Sequence, residues 1–179
     1  MTLKGRRRYL AGAIACFTFL AGGLIWLLQP QAVALKPYAL AIKALPDLRN
    51  PGASAHRFGG PQARPMVVNF FFSDCVGCVE ELPRFEAASK VWAGKIDFVG
   101  VDHFEPRAEG LKLLTSTAIS FPVAWDQRGE LAPLAGVTAF PSTLLVDRDG
   151  RVVKRILGQV SAERLNRELR ALFDTSHVH

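Results

Sequence analysis

Residues 66–72 read MVVNFFF, an almost unbroken apolar run rich in β-branched and aromatic side chains. With Pro65 before it and Ser73-Asp74 after it, a run of that length predicts a strand covered on both faces. The period then changes. From position 76 to 92 the apolar residues Cys78, Leu82, Phe85 and Trp92 recur at helical spacing, which predicts a helix entered through a short turn. Residues 95–102 (KIDFVGVD) predict a second buried strand, 106–116 a helix, 121–125 a short strand and 129–135 a single helical turn. Residues 142–147 and 151–157 flank Arg148-Asp149-Gly150 and predict a hairpin, because Asp-Gly supplies the positive φ that a tight turn needs. Residues 161–173 predict a closing amphipathic helix, with Ser161 as N-cap and Leu165, Leu169, Leu172 and Phe173 on one face. Residues 38–45 alternate only weakly and suit an edge strand. Strands alternating with helices imply parallel crossovers, and the late hairpin adds antiparallel strands. The fold class is therefore α/β, a central mixed sheet with helices on both faces.

The start of the chain has a different character. Residues 9–28 are apolar and uncharged, and at about 1.5 Å per residue they cross a hydrocarbon core roughly 30 Å thick. Lys4, Arg6, Arg7 and Arg8 precede them, which sets the N-terminus in the cytoplasm. The expectation is one single-pass transmembrane helix in the cell inner membrane, with the remainder facing the periplasm. The chain then divides into a basic stub and anchor (1–29), a linker (30–36), one folded domain (37–174) and a tail (175–179). Two other readings stay open: cleavage after Ala34, which closes a small-x-small site, and lipidation at Cys16. The formal charge of +6 falls to about +2 once those four basic residues are set aside. No basic stripe with interleaved aromatics remains, so nucleic acid is not an expected partner.

Of the three cysteines, Cys16 lies in the apolar run, leaving Cys75 and Cys78 in the folded part. Cys75 falls at a helix start, where the dipole and free N–H groups favour a thiolate. Cys78, one turn in, can attack a mixed disulfide formed at Cys75, as reversible dithiol–disulfide exchange requires. A structural zinc needs two more ligands, and His56, His103, His177 and His179 are scattered without a second paired motif. No metal site is expected. A permanent disulfide of this spacing staples little chain and stabilises weakly.

The pieces VVNFFFSDCVGCVEELP and FPVAWDQRGELAPLAGVTAFPSTLLVDRDGRVV, with the closing helix, resemble membrane-anchored thioredoxin-like proteins of the TlpA/ResA/CcmG type. Together with the strand at 95–102 the resemblance covers about 110 residues. It implies a thioredoxin-like fold with extra N-terminal strands and a central βα insertion. It also implies thiol–disulfide oxidoreductase activity outside the cytoplasmic membrane, of the kind that serves cytochrome c maturation. Cys75 then matches the nucleophile, Cys78 the resolving cysteine, Glu81 the helix acid that follows the pair, and Asn69 the polar residue on the strand. Pro141 matches the cis-proline facing the disulfide. Asp74, Val76, Gly77 and Phe140 would contact the substrate. The implied partners are protein dithiols or disulfides and a membrane electron donor; the protein is expected to act as a monomer and without a cofactor. The chain departs from the pattern in places. Phe71-Phe72-Ser73-Asp74 stands where the family usually has tryptophan directly before the first cysteine and often one on the strand, and Asp74 opposes a thiolate at Cys75. Val76-Gly77 lacks the common proline, and Phe140 is bulkier than usual. Three competing functions remain: a disulfide oxidase or isomerase, a copper metallochaperone using the two cysteines with a distant histidine such as His103, and a redox sensor without turnover.

Overall fold

The computed structural model describes residues 36–52 and 55–176. The expected anchor, Cys16, the Ala34 cleavage site and the last three residues lie outside these. Among the described residues no helix is long and apolar enough to cross a membrane.

Three short strands come first: β1 (Tyr38–Ala39), β2 (Lys43–Leu45) and β3 (His56–Phe58). β4 (Met66–Phe71) leads to α1 (Val76–Val91), β5 (Asp97–His103) to α2 (Arg107–Ser116), and β6 (Val123–Asp126) to α3 (Leu131–Leu134). The hairpin β7 (Ser142–Val146) and β8 (Arg151–Leu157) precedes α4 (Ala162–Thr175). The main sheet has the order β1-β8-β7-β4-β5-β6. β4, β5 and β6 run parallel, and β7, β8 and β1 add antiparallel pairs. The weakly alternating 38–45 segment divides. β1 takes the sheet edge, whereas β2 pairs with β3 in a separate two-stranded sheet. At the hairpin turn Gly150 has φ of 77°, the value its Asp-Gly sequence anticipates.

Strand parity splits the core in two. Val67 and Phe71 of β4 join one cluster; Met66, Val68 and Phe70 join the other. The first cluster takes Leu82 and Phe85 from α1, Leu113 and Leu114 from α2, and Leu165, Leu169 and Leu172 from α4. Three of the four helices among the described residues therefore cover one face. The second face is covered by α3 together with Leu45 and Phe58 of the small sheet, so the expectation of helices on both faces holds there through a single turn of helix. A register shift between Leu145 and Val146 lets Val152 and Ile156 of β8 serve opposite faces despite their even spacing. α4 runs two residues past the predicted end. Ser161 caps its start, accepting the Arg164 N–H at 3.3 Å, and the Ser176 hydroxyl closes its end on the Leu172 carbonyl at 2.8 Å.

Candidate active site

β4 lies in the middle of the sheet, between antiparallel β7 and parallel β5, and its C-terminal end delivers the chain into the turn before α1. The turn is held from below. The Glu105 carboxylate accepts the Ser73 N–H at 3.0 and 3.1 Å and also accepts the Ser73 hydroxyl. Cys75 is the N-cap of α1, and its Sγ accepts the Cys78 N–H at 3.2 Å. Cys75 and Cys78 are joined in a disulfide, with Cα atoms 5.2 Å apart. The two sulfurs are not equivalent, since Cys75 is partly exposed and Cys78 is fully buried.

Glu81 lies one turn after Cys78 and is also fully buried. Its Oε1 accepts from Asn69 Nδ2 at 2.8 Å and its Oε2 from the Val160 N–H at 3.0 Å. Burial raises its pKa by more than these two hydrogen bonds and the Arg84 charge lower it. Neighbouring Glu80 is exposed and accepts from Gln159 Nε2 at 2.9 Å. Asn69 Nδ2 also reaches Thr143 Oγ1 at 3.2 Å, tying β4 to β7.

The Phe140–Pro141 peptide is cis and Pro141 is buried at the start of β7. A Cβ at Gly77 would sit 3.4 Å from Pro141 Cδ and 3.2 Å from Gln159 Cγ. The first turn of α1 thus lies against Pro141, and a side chain at position 77 would press on both neighbours. Asp74 and Val76 are exposed beside the disulfide. Phe140 is half-buried and packs edge-on against Phe72, ring centroids 5.4 Å apart. The residues singled out from the sequence therefore surround one disulfide. His103 stacks on Phe140 at 4.7 Å, with its Nδ1 3.8 Å from an Asp126 oxygen. Among the described residues no group of three or more His, Cys, Asp or Glu side chains is placed to hold a metal ion.

Two acidic residues went unassigned in the sequence. Asp102 is fully buried on the α2-facing side of β5, and a Cβ at Gly110 would collide with its carboxyl group. No N–H or O–H donor reaches either Asp102 oxygen; its neighbour is the carboxyl of Glu105. Burial, then the hydrogen bond and charge of Glu105, push the Asp102 pKa up to about 9. Protonated Asp102 supplies the O–H that Glu105 accepts, and Glu105 in turn holds Ser73. The available signal was a charged residue inside the apolar run of β5, with a glycine eight positions later.

A family profile described as Redoxin matches residues 43–171. Thiol-disulfide oxidoreductase ResA of Bacillus thuringiensis is 26% identical over 112 residues, which cover 62% of this chain and 65% of that relative. The chain thus spans somewhat less than two thirds of its length. A Thiol:disulfide interchange protein DsbE homolog of Paracoccus denitrificans is 34% identical over 98 residues, covering 54% of this chain and 52% of that one. In fold, the chain is similar to the crystal structure of a thiol:disulfide interchange protein of Chlorobium tepidum TLS. That likeness has a TM-score of 0.65 and 21% identity, over 78% of this chain and 98% of the other.

The buried carboxyl pair generates a prediction. Asp102 holds its proton up to about pH 9 when folded but releases it near 3.8 when unfolded. Between those values the folded state binds the extra proton, so the Asp102 contribution to stability falls as pH rises. Asp102→Asn keeps the shape and a donor toward Glu105 but cannot ionise. Denaturant unfolding at pH 5 and pH 9 should show the variant gaining on the wild type by more than about 1.4 kcal/mol, the equivalent of one pKa unit. Parallel pH profiles would show that Asp102 does not carry the proton.

Proposed function

This chain belongs to the redoxin family, and from that premise we propose that it is a thiol–disulfide oxidoreductase that reduces disulfides of particular partner proteins. The observation carrying this reading is the unequal pair, a partly exposed Cys75 capping α1 and a fully buried Cys78 one turn behind it.

The reaction starts from the reduced pair. The Cys75 thiolate, favoured by the Cys78 N–H and the helix dipole, attacks one sulfur of a client disulfide. The client S–S bond breaks, a Cys75–client bond forms, and the other client sulfur leaves as a thiolate. Cys78 then gives up its proton and attacks the Cys75 sulfur, closing the intramolecular disulfide and releasing the second client thiol. Two electrons and two protons pass to the client. A separate dithiol must reduce Cys75–Cys78 again; a membrane-bound donor fits the proposed location.

Glu81 is the proton acceptor for Cys78 in this scheme. Both side chains are fully buried on one face of α1, where water is a poor alternative base. Asn69 can serve either state of the acid. Its Nδ2 donates to ionised Glu81, while its Oδ1, which has no hydrogen-bond partner, can accept from protonated Glu81 after an amide flip. Pro141, Phe140, Val76 and Gly77 form the rim against which a client chain is laid. The basic cluster before residues 9–28 supports an anchor in the inner membrane with this domain in the periplasm, where cytochrome c maturation is a fitting role.

Mixed disulfides test the reading. Cys78→Ser should accumulate covalent adducts with client proteins or disulfide peptides, and Cys75→Ser should not; equal trapping by both would contradict the assigned order. For Glu81, a raised pKa means that the base form appears only as pH climbs above the ordinary carboxylate range. Glu81→Gln should slow resolution of the mixed disulfide about tenfold or more in stopped-flow traces and remove that pH-dependent rise. Glu80→Gln should stay within about twofold of the wild type; matching behaviour of the two variants would make Glu81 a structural acid. For topology, a reporter that works only in the cytoplasm, fused after His179, should be silent, and activity there would refute the periplasmic placement.

A further inference from the structure

A cleft of about 560 Å³ opens beside the disulfide, between the turn before α1 and the β5–α2 loop. Along it runs a row of four rings. Phe72 meets Phe140 at 5.4 Å, Phe140 meets His103 at 4.7 Å, and His103 meets Phe104 at 6.2 Å between centroids. The row starts three residues before Cys75, passes the residue joined to Pro141, and ends in solvent. Phe104 is 69% exposed and has φ of 53°, a region that bulky residues enter rarely. Burial of its ring in the core does not offset that conformation, so the fold holds an aromatic side chain outward at the mouth of the site.

The charge around this row has one sign. Asp74, Glu105 and Glu109 line the cleft, and neither lysine nor arginine does. Glu109 makes an exposed pair with Lys112 at 3.1 Å, and Glu105 is engaged with Ser73, which leaves Asp74 and the outer face of Glu109 toward the opening. The whole chain carries +6, so this patch runs against the overall charge. Aromatic faces bordered by carboxylates suit a guanidinium, which stacks on a ring while its fork meets an acid.

We infer that this cleft is a client-selecting subsite that takes an arginine or lysine side chain of an extended protein segment, within a few residues of the client's reactive cysteine. The inference rests on the oxidoreductase reading and adds the class of client. Phe104 is its specificity-determining residue, with Asp74 and Glu109 as the ionic partners.

The test uses the reduced full-length chain and three substrates: two disulfide-linked peptides that differ only in arginine or glutamate two residues before the cysteine, and glutathione disulfide. The wild type should reduce the arginine peptide with kcat/KM about tenfold above the glutamate peptide, a ratio in reach of a cation–π contact joined to an ion pair. Phe104→Gly, which accepts the positive φ, and Glu109→Lys should each bring the ratio below about threefold. A ratio near one in the wild type, with glutathione disulfide still reduced, would overturn the subsite and leave the oxidoreductase reading intact. Failure to reduce any of the three would overturn both. Concentration-dependent self-association lost in Phe104→Gly would mean that a second copy fills the cleft, and would also overturn the inference.

Discussion

The site depends on one buried carboxylate. Glu81 sits where three elements converge: its own helix α1, the strand β4 through Asn69, and the turn before α4 through the Val160 N–H. Removing a charged acceptor from such a place would strand two buried donors, each costing about 1–3 kcal/mol. The same two bonds hold α1 at a fixed rotation over the sheet, which keeps Cys78 inside and Cys75 at the surface. In the proposed mechanism the group that fixes the helix also takes the proton. Burial raises its pKa, while its hydrogen-bond partners keep it from being expelled.

A second buried acid solves a different problem. Asp102 has no donor around it, so it is neutral and works as a donor itself, toward Glu105. Glu105 then grips the Ser73 backbone and hydroxyl two residues before Cys75. The turn that carries Cys75 is thus clamped from both sides, by Glu105 beneath the strand end and by Gln159 on the Gly77 carbonyl at 2.9 Å. A turn held in this way is pre-positioned for the proposed attack.

Much of this was readable because short-range chemistry announces itself. The strand-turn-helix around Cys75, the Asp149-Gly150 hairpin and the Ser161 cap follow from period and turn residues, and all three appear at the anticipated places. What stayed hidden depends on pairings far apart in the chain. Nothing in residues 38–45 tells which half pairs with β8 and which with β3, since both halves are short and half-exposed. The bulge between Leu145 and Val146 is invisible without a partner strand. Glu105 gives no signal in the sequence, because its role exists only once β5 brings it against Ser73, 32 positions away. Phe104 gives none either, since its outward position follows from a backbone conformation that sequence does not encode for phenylalanine.

The central claim is that Cys75 and Cys78 form a reversible couple poised to give electrons away. Equilibration of the full-length chain with a series of dithiothreitol buffers, read by alkylation of the free thiols, measures its reduction potential. A two-electron transition with a midpoint near thioredoxin's value, about −270 mV, is the predicted result. A midpoint near −120 mV would make the protein an oxidant, and one well below about −300 mV would make the bond a structural staple; either would contradict the account.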